Sequence, residues 1–339
     1  MRQENRDFLA QLKFSTKLTL IILVGGVTLA INPQGYNLFV LPKAYLLLNL
    51  SLVAIGAAIL HIILGGSFRF PPITVTLAAL SFLVVSGLAT INSVLPRLSF
   101  FGKMPRYEGF LTLVLYTALF FLAANYFDSK EDRKHLYWAI AGITVVVSVY
   151  AVFQGFGFDF IKWDLGLASS RARSFTGNAA TLGAFMALTL PFIASPLLLV
   201  SSVANSEKAK VFVWAILILG VSAAVLTRSR GAWLALLAAG LFILFRRLQG
   251  RRKAQTLSWK KITLSLVLAV GLLISVVYSF LYIEFERGTA SGRLVLWERT
   301  IKGIEAKPVL GWGPETFQYT FPEHTNQQFE DQVTRKTII

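Results

Sequence analysis

Apolar runs long enough to cross a membrane recur along most of this chain of 339 residues. A helix that crosses a bilayer needs about 20 predominantly apolar residues, with a range of about 17–25. Inside lipid such a run must satisfy its own backbone polar groups, and a helix does this. The sequence therefore predicts an all-α polytopic membrane protein with about nine transmembrane helices: Leu18–Ile31, Ala44–Leu64, Pro72–Asn92, Gly109–Phe127, His135–Gly155, Asn178–Val203, Val211–Val225, Ala232–Phe245 and Ile262–Ile283.

Composition supports this class and removes several kinds of chemistry. Charged residues make up 15% of the chain, against about 25% in a typical soluble protein. The chain has no cysteine, so disulfides and thiolate sites are excluded. Its three histidines (His61, His135 and His324) are not at metal-ligand spacing, and neither a metal nor a cofactor is expected. The net charge of +16 does not call for nucleic acid, since basic loops are normal in membrane proteins.

Two of the predicted spans have irregular features. Leu18–Ile31 is short, and we expect its ends to fray into the flanking residues. The sixth span contains Pro191 and Pro196. A proline inside a span removes a backbone hydrogen bond, so the sequence predicts a kink there.

The distribution of Lys and Arg predicts the orientation in the membrane. The loop between the eighth and ninth spans contains only basic charges, and short loops of this kind remain in the cytoplasm. With this loop inside, the N-terminus is also cytoplasmic, and the residues around Arg173 and Arg230 lie outside. The basic residues of the loop are Arg246, Arg247, Arg251, Arg252, Lys253, Lys260 and Lys261.

A tight turn between two apolar runs contains Arg228 and Arg230, separated only by Ser229. An arginine near the middle of a bilayer costs roughly 2.5–3.5 kcal/mol, and two neighbouring guanidinium groups repel each other. A compact anion held by both planar forks would offset this repulsion. The turn therefore predicts a phosphate-binding site.

The other predicted outer segments also retain arginines, which suggests a single outward-facing anion site. The alternative is that each arginine caps a span at the interface. Capping does not require Arg-x-Arg doublets, however, and the chain has two in these segments, so the alternative is weaker for the whole set. The outer arginines are Arg97, Arg106, Arg171, Arg173, Arg228, Arg230, Arg287, Arg293 and Arg299.

The chain becomes polar after the ninth span, and we expect two domains: a transmembrane bundle over 1–283 and part of an extracytoplasmic loop over 284–339. Ser291 can cap a helix that runs to about Lys307 and stops before Pro308. This helix is amphipathic and suited to the membrane surface, although packing on an extramembrane domain is an alternative. Its apolar stripe is Leu294, Trp297, Ile301 and Ile304, and its polar face is Arg293, Arg299, Lys302 and Glu305.

Three stretches in register resemble the O-antigen ligase and polymerase superfamily, and the resemblance covers nearly the whole chain. They are Arg171–Asn178, Leu226–Trp233, and Ser291–Trp297 followed by Pro308–Pro314; Pro42-Lys43 and Gly102–Gly109 also resemble members of that group.

This resemblance implies a glycan transferase in the bacterial plasma (inner) membrane. Members of the superfamily take a glycan from a polyprenyl pyrophosphate and pass it to a glycan, lipid or protein hydroxyl. The implied partners are the lipid-linked donor, the acceptor and membrane lipids, with no nucleic acid. Negative charge grows on the leaving phosphate oxygen, and one fixed donor aimed at such a charge typically contributes about 100–1000-fold in rate.

The resemblance also implies roles for individual residues. The paired essential arginines of the family fall on Arg173 and Arg230, which are the predicted catalytic residues. The predicted substrate-binding residues are Arg171, Arg228, Ser229, Asn178, Arg293 and Trp297. For Trp297 and Trp312, anchoring at the membrane interface is favoured over stacking on a sugar.

The family's functional histidine has no match in this sequence, because His324 stands in a different setting. We therefore expect it beyond Ile339, together with further spans. Glu298 and Asp164 are alternative bases on charge alone.

Two other classes of function remain open. A transporter or flippase of an anionic lipid-linked glycan predicts ionisable residues near the middle of spans. The predicted spans offer only small polar residues there, such as Ser81, Ser86 and Ser222, which disfavours coupled transport. The other class is a non-catalytic scaffold for polysaccharide assembly, and only an activity assay separates it from the enzyme.

Overall fold

The computed structural model describes residues 2–33, 35, 37–161, 171–198, 206–251 and 289–320. These residues form helices and connecting turns, without a β-strand among them, so the predicted all-α class is confirmed. The helices are α1 (Arg2–Leu29), α2 (Val40–Ile63), α3 (Ile73–Ile91), α4 (Pro96–Phe101), α5 (Phe110–Tyr126), α6 (Lys130–Gly155), α7 (Ala179–Leu198), α8 (Glu207–Leu226), α9 (Arg230–Arg251), α10 (Thr289–Ala306) and α11 (Phe317–Thr320), with a 3-10 turn at Ser174–Thr176.

The described helices make this a multi-pass membrane protein. Six of them (α1, α2, α3, α6, α7 and α8) are long and apolar enough to cross a bilayer. Helix α5 and the apolar part of α9, Arg230–Ile243, are shorter. Eight predicted spans therefore coincide with helices. The ninth, Ile262–Ile283, lies outside the described residues, so the count of nine stays a prediction.

Three helices can be compared in detail with the sequence predictions. Helix α1 begins at Arg2 rather than at Leu18. Residues 2–17 contain neither Gly nor Pro, so the helix formed by the apolar run extends through them at little cost. Helix α7 continues through both Pro191 and Pro196. Helix α10 ends at Ala306, before Pro308, as predicted, but Ser291 lies inside it rather than at its N-cap.

The chain divides into two compact units. The first unit comprises Met1–Leu23, Ala44–Asp128 and Arg287–Ile339, and the second comprises Val24–Lys43 and Ser129–Glu286. Both Arg-x-Arg doublets therefore belong to the second unit, and α10 belongs to the first. The predicted boundary at residue 283 separates a transmembrane bundle from an extracytoplasmic loop. It lies outside the described residues and stays a prediction.

In the first unit, a buried polar pair links α2 with α5. His61 and Tyr126 are both buried, and the Tyr126 hydroxyl lies 3.1 Å from His61 Nδ1. On α3, a Cβ placed at Gly87 would lie 3.2 Å from the ring of Phe110, so the absent side chain lets α5 approach closely.

The core of the second unit lies among α6, α7, α8 and α9. Small residues let these helices approach, as is usual where helix association in lipid depends on close van der Waals contact. Gly220 of α8 accommodates Leu190 of α7, and Gly155 of α6 accommodates Leu226 of α8. The buried apolar residues shared by these helices are Val147, Ala151, Ala172, Leu182, Met186, Leu190, Ala223, Ala224 and Leu236.

The start of α9 contacts α7 at Gly183, one turn after α7 begins. A Cβ at this position would lie 2.6 Å from the Cβ of Ala232 and 3.0 Å from the Cβ of Ser229. These are not the ends of flexible side chains, so neither atom can move away without a shift of the α9 backbone. Gly183 therefore sets the distance between the two helix N-termini.

We predict that Gly183→Ala lowers the thermal unfolding temperature of the purified protein in detergent. Forcing a methyl group into this contact costs typically 1–3 kcal/mol, which exceeds the roughly 1 kcal/mol gained in helix propensity. Gly142→Ala in α6 is the matched control, because a Cβ there meets nothing within 4 Å. A rise in unfolding temperature for both variants would show that α7 and α9 are not in contact here.

Candidate functional site

The turn that joins α8 to α9 consists of only three residues, Thr227, Arg228 and Ser229. Arg228 has a φ of +49°, in the left-handed region that costs a non-glycine residue roughly 1–2 kcal/mol. Because the turn is so short, the last carbonyls of α8 and the first amides of α9 lie close together. Neither set has helical partners of its own, so both must be satisfied by other groups.

Donors from the turn itself, from α9 and from the segment before α7 bind the carbonyls at the end of α8. The Thr227 hydroxyl donates to Ala224 O at 2.7 Å, and the indole of Trp233 donates to the same oxygen at 2.9 Å. The amide of Ala172 donates to Leu226 O at 3.0 Å. Trp233 and Thr227 are buried, so these bonds are shielded from water.

Arg171 completes the set. Its Nε donates to Thr227 O at 2.9 Å and its Nη2 to Arg228 O at 3.3 Å. A cation at a helix C-terminus also interacts favourably with the helix dipole. Arg171 therefore caps α8, which is the alternative considered for the outer arginines. The same bonds hold the first Arg-x-Arg doublet against the turn that contains the second.

The backbone of the first doublet is positioned by Gln154, near the end of α6. Its Oε1 accepts from the amide of Arg173 at 3.1 Å and from that of Ser174 at 2.7 Å. Its Nε2 donates to Asp159 at 3.1 Å. The Ser174 hydroxyl in turn donates to Val147 O at 2.8 Å. Sequence reasoning did not find Gln154; the available signal was a single carboxamide near the end of an otherwise apolar run.

Asn178 is the N-cap of α7. Its Oδ1 accepts from the amides of Ala180 at 2.7 Å and Thr181 at 3.4 Å, as is typical of an N-cap asparagine. The side-chain oxygen is therefore used by the helix, and the contact with a sugar or phosphate predicted for Asn178 stays a prediction.

Ser229 stands at the start of α9, where its carbonyl accepts from the amide of Trp233 at 3.2 Å. Since Ser229 contacts α7 at Gly183, one turn after that helix begins, two helix N-termini lie at this end of the second unit. Each N-terminus has a partial positive charge of roughly half a unit. Arg228 is exposed beside them, and Arg173 and Arg230 are half-buried. This end of the second unit is electropositive and suits an anion.

The remaining predicted site residues belong to the first unit or lie outside the described residues. Trp297 is 64% exposed on α10. Arg293 lies in the same helix, but its side chain is outside the described residues, so the substrate contacts predicted for both stay predictions. Asp164, His324 and the side chains of the basic loop are not among the described residues, so the predictions made for them are not tested by the structure.

Glu298 is a poor candidate for a general base. Lys302 Nζ donates to its carboxylate at 3.0 Å, and this hydrogen bond together with the charge of Lys302 lowers the pKa of Glu298. A carboxylate with a lowered pKa accepts a proton less readily than an ordinary one. Among the described residues, no group of three or more His, Cys, Asp and Glu side chains is placed to hold a metal ion.

Comparison with known families identifies the C-terminal part of the chain. The model of the O-antigen ligase family matches residues 215–337. The matched segment contains most of α8, the turn with Arg228 and Arg230, α9 and α10. Searches of curated proteins and of solved structures gave no match. The family match confirms the resemblance over residues 215–337 and identifies them with the O-antigen ligase and polymerase superfamily. The resemblance of Arg171–Asn178 and of the residues before it stays a prediction.

Proposed function

We propose that the protein is a membrane glycan transferase that moves a glycan from a polyprenyl pyrophosphate to an acceptor hydroxyl on the outer face of the bacterial plasma membrane. The hydrogen bonds of Arg171 and Ala172 to the turn carry this proposal, because they bring both Arg-x-Arg doublets to one end of the second unit. Two helix N-termini lie at the same end. The match to the O-antigen ligase family supports the reaction class.

In the proposed reaction, the acceptor oxygen forms a bond to the anomeric carbon while the bond from that carbon to the phosphate oxygen breaks. The electron pair of the broken bond remains on the departing pyrophosphate. Arg173 and Arg230 bind this group and stabilise its growing charge, with Arg228 as an additional contact. Arginine suits this role because its planar fork donates to two phosphate oxygens at once.

The other residues at this end of the second unit have supporting roles. Arg171 positions the turn through the carbonyls of Thr227 and Arg228, and Gln154 positions Arg173 through its backbone amide. Ser229 and Asn178 lie at the starts of α9 and α7, where the helix dipoles add positive potential for the anion.

The proposed orientation puts the N-terminus in the cytoplasm and this site outside. Helices α6 and α8 end at the site while α7 and α9 begin there, so the connections between them share one face of the membrane. The choice of face comes from the basic residues of the Arg246–Lys261 loop.

We predict that a cysteine at position 158 reacts with an impermeant maleimide in intact spheroplasts, whereas one at position 249 reacts only after lysis. Phe158 is 64% exposed in the segment that follows α6, and Gln249 lies in the basic cytoplasmic segment. The chain has no cysteine of its own, so Phe158→Cys and Gln249→Cys report cleanly. Labelling of Gln249→Cys before lysis would show that the protein has the opposite orientation in the membrane.

We also predict that Arg230→Lys lowers the rate of glycan transfer by about 100–1000-fold while the protein still inserts and folds. The positive charge is retained, but the bidentate contact with the phosphate oxygens is lost. The rate is measured with the purified full-length protein, the polyprenyl-pyrophosphate glycan and its acceptor. Arg69→Lys, an exposed arginine in the loop between α2 and α3, is the matched control. Activity of Arg230→Lys equal to that of the control would show that Arg230 only caps a span.

A third prediction separates the charge of Arg228 from its backbone strain. Arg228→Gly should unfold at the same temperature as the parent or higher, because relief of the roughly 1–2 kcal/mol of left-handed strain offsets the greater chain entropy of glycine. Its affinity for farnesyl pyrophosphate should fall, since a cation is lost.

The matched variant is Arg228→Ala, which also loses the charge but keeps the strained backbone. It should bind as weakly as Arg228→Gly and unfold at a lower temperature. Affinity is compared with that for farnesol, which lacks the pyrophosphate. If Arg228→Gly binds farnesyl pyrophosphate as tightly as the parent does, Arg228 does not contribute to the anion site.

A further inference from the structure

The first unit contains a cavity of about 290 Å³ between α10 and the segment that follows it. Its lining is partly aromatic and partly cationic, and it includes Arg299, Thr300, Lys307, Trp312, Thr316 and Phe317. This cavity does not include the arginines of the proposed pyrophosphate site, all of which belong to the second unit.

One wall of the cavity is fixed to the segment between α3 and α5. Ser99 Oγ donates to Pro314 O at 2.8 Å and lies 2.7 Å from Ser93 Oγ. Gly313 has a φ of +98°, and a Cβ there would lie 2.5 Å from Ser93 Oγ, so only glycine fits. Arg106 lies 3.9 Å from the carboxylate of Glu315. The wall is therefore preorganised rather than shaped by a ligand.

Trp312 is fixed to the opposite wall. Its indole Nε1 donates to Gly303 O of α10 at 2.9 Å. Lys307 Nζ lies 4.2 Å from the centre of its ring, in a cation–π contact. The aromatic surface is thus held rigidly at the cavity, with an ammonium group on one of its sides.

Arg299 provides the strongest indication of a ligand. Arg299 is half-buried, and its Nε atom is buried without a hydrogen-bond partner among the described residues. A buried N–H without an acceptor is costly, and such groups in native proteins usually have an ion, water or ligand as partner. The carboxylate of Glu298 does not serve, because it is bound to Lys302. Arg299 and Lys307 together make the cavity cationic.

We propose that this cavity binds an acidic monosaccharide unit, with its carboxylate or phosphate on Arg299 and Lys307 and its ring beside Trp312. The volume lies just below the roughly 300–1,000 Å³ of pockets for drug-sized ligands, which fits one sugar ring with its charged group. The hydroxyls of Thr300 and Thr316 donate to Leu296 O and Gly313 O, so their oxygens remain able to accept from sugar hydroxyls.

This inference goes beyond the transfer reaction, since it concerns recognition of a charged sugar at a second place. It is tested by binding alone, so the outcome does not depend on whether Arg173 and Arg230 are catalytic. Saturation-transfer difference NMR suits weak sugar ligands, with the purified full chain in detergent. The observed probes are glucuronate, glucose 1-phosphate and, for comparison, neutral glucose. Inorganic phosphate has no carbon-bound proton, so it is added as a competitor.

Both acidic sugars should bind, glucose should not, and Arg299→Gln should weaken binding of the acidic sugars by at least about tenfold. The matched control is Arg69→Gln, which removes an exposed cation of the first unit that does not line the cavity, and it should bind as the parent does. Thermal unfolding of both variants checks the fold. Should Arg299→Gln fail to fold, Lys307→Gln provides the same test.

Three results would overturn the proposal. Unchanged binding of acidic sugars by a folded Arg299→Gln or Lys307→Gln would remove these cations from the site. Equal binding of glucose would remove the requirement for charge. Inorganic phosphate that displaces glucose 1-phosphate at equal concentration would show a site for small anions rather than for a sugar.

Discussion

The short connection between α8 and α9 depends on hydrogen bonds that the turn cannot make by itself. A helix that ends at Leu226 leaves carbonyls without partners, and lipid or a protein interior provides no water to replace them. Ala172, Arg171 and Trp233 donate to these carbonyls. Without them Arg228 could not adopt its left-handed conformation in so confined a place, and α9 could not begin three residues later beside α7.

The same interactions give the two Arg-x-Arg doublets unequal roles. In the first doublet, Arg171 is directed to the carbonyls of the turn, while the backbone of Arg173 is held by Gln154. In the second doublet, Arg228 forms the bend and Arg230 opens the next helix. The proposed division between catalytic and supporting arginines therefore corresponds to a structural difference, although both doublets look alike in the sequence.

The apolar runs predicted the helices well because their lengths are set by a property of single segments, namely burial in a slab of fixed thickness. The sequence also predicted the turn at Arg228, since the flanking runs define it, although Arg230 is the first residue of α9 rather than part of the turn. The hydrogen-bond partners of Arg171, Gln154 and Trp233 could not be predicted from the sequence, because these bonds form only when separate helices pack together. Ser291 was misjudged as a cap for a related reason: local capping preference does not decide where a helix starts. The cationic cavity at Arg299 likewise depends on a contact between α10 and the segment at Trp312.

The bond from Arg171 to Thr227 joins positions that are 56 residues apart. During synthesis of the chain, Arg171 is therefore made well before the two carbonyls that accept its hydrogen bonds. A chain that stops before Thr227 contains this arginine without the groups that it binds in the finished structure, so its side chain can take up this arrangement only after α8 has been completed.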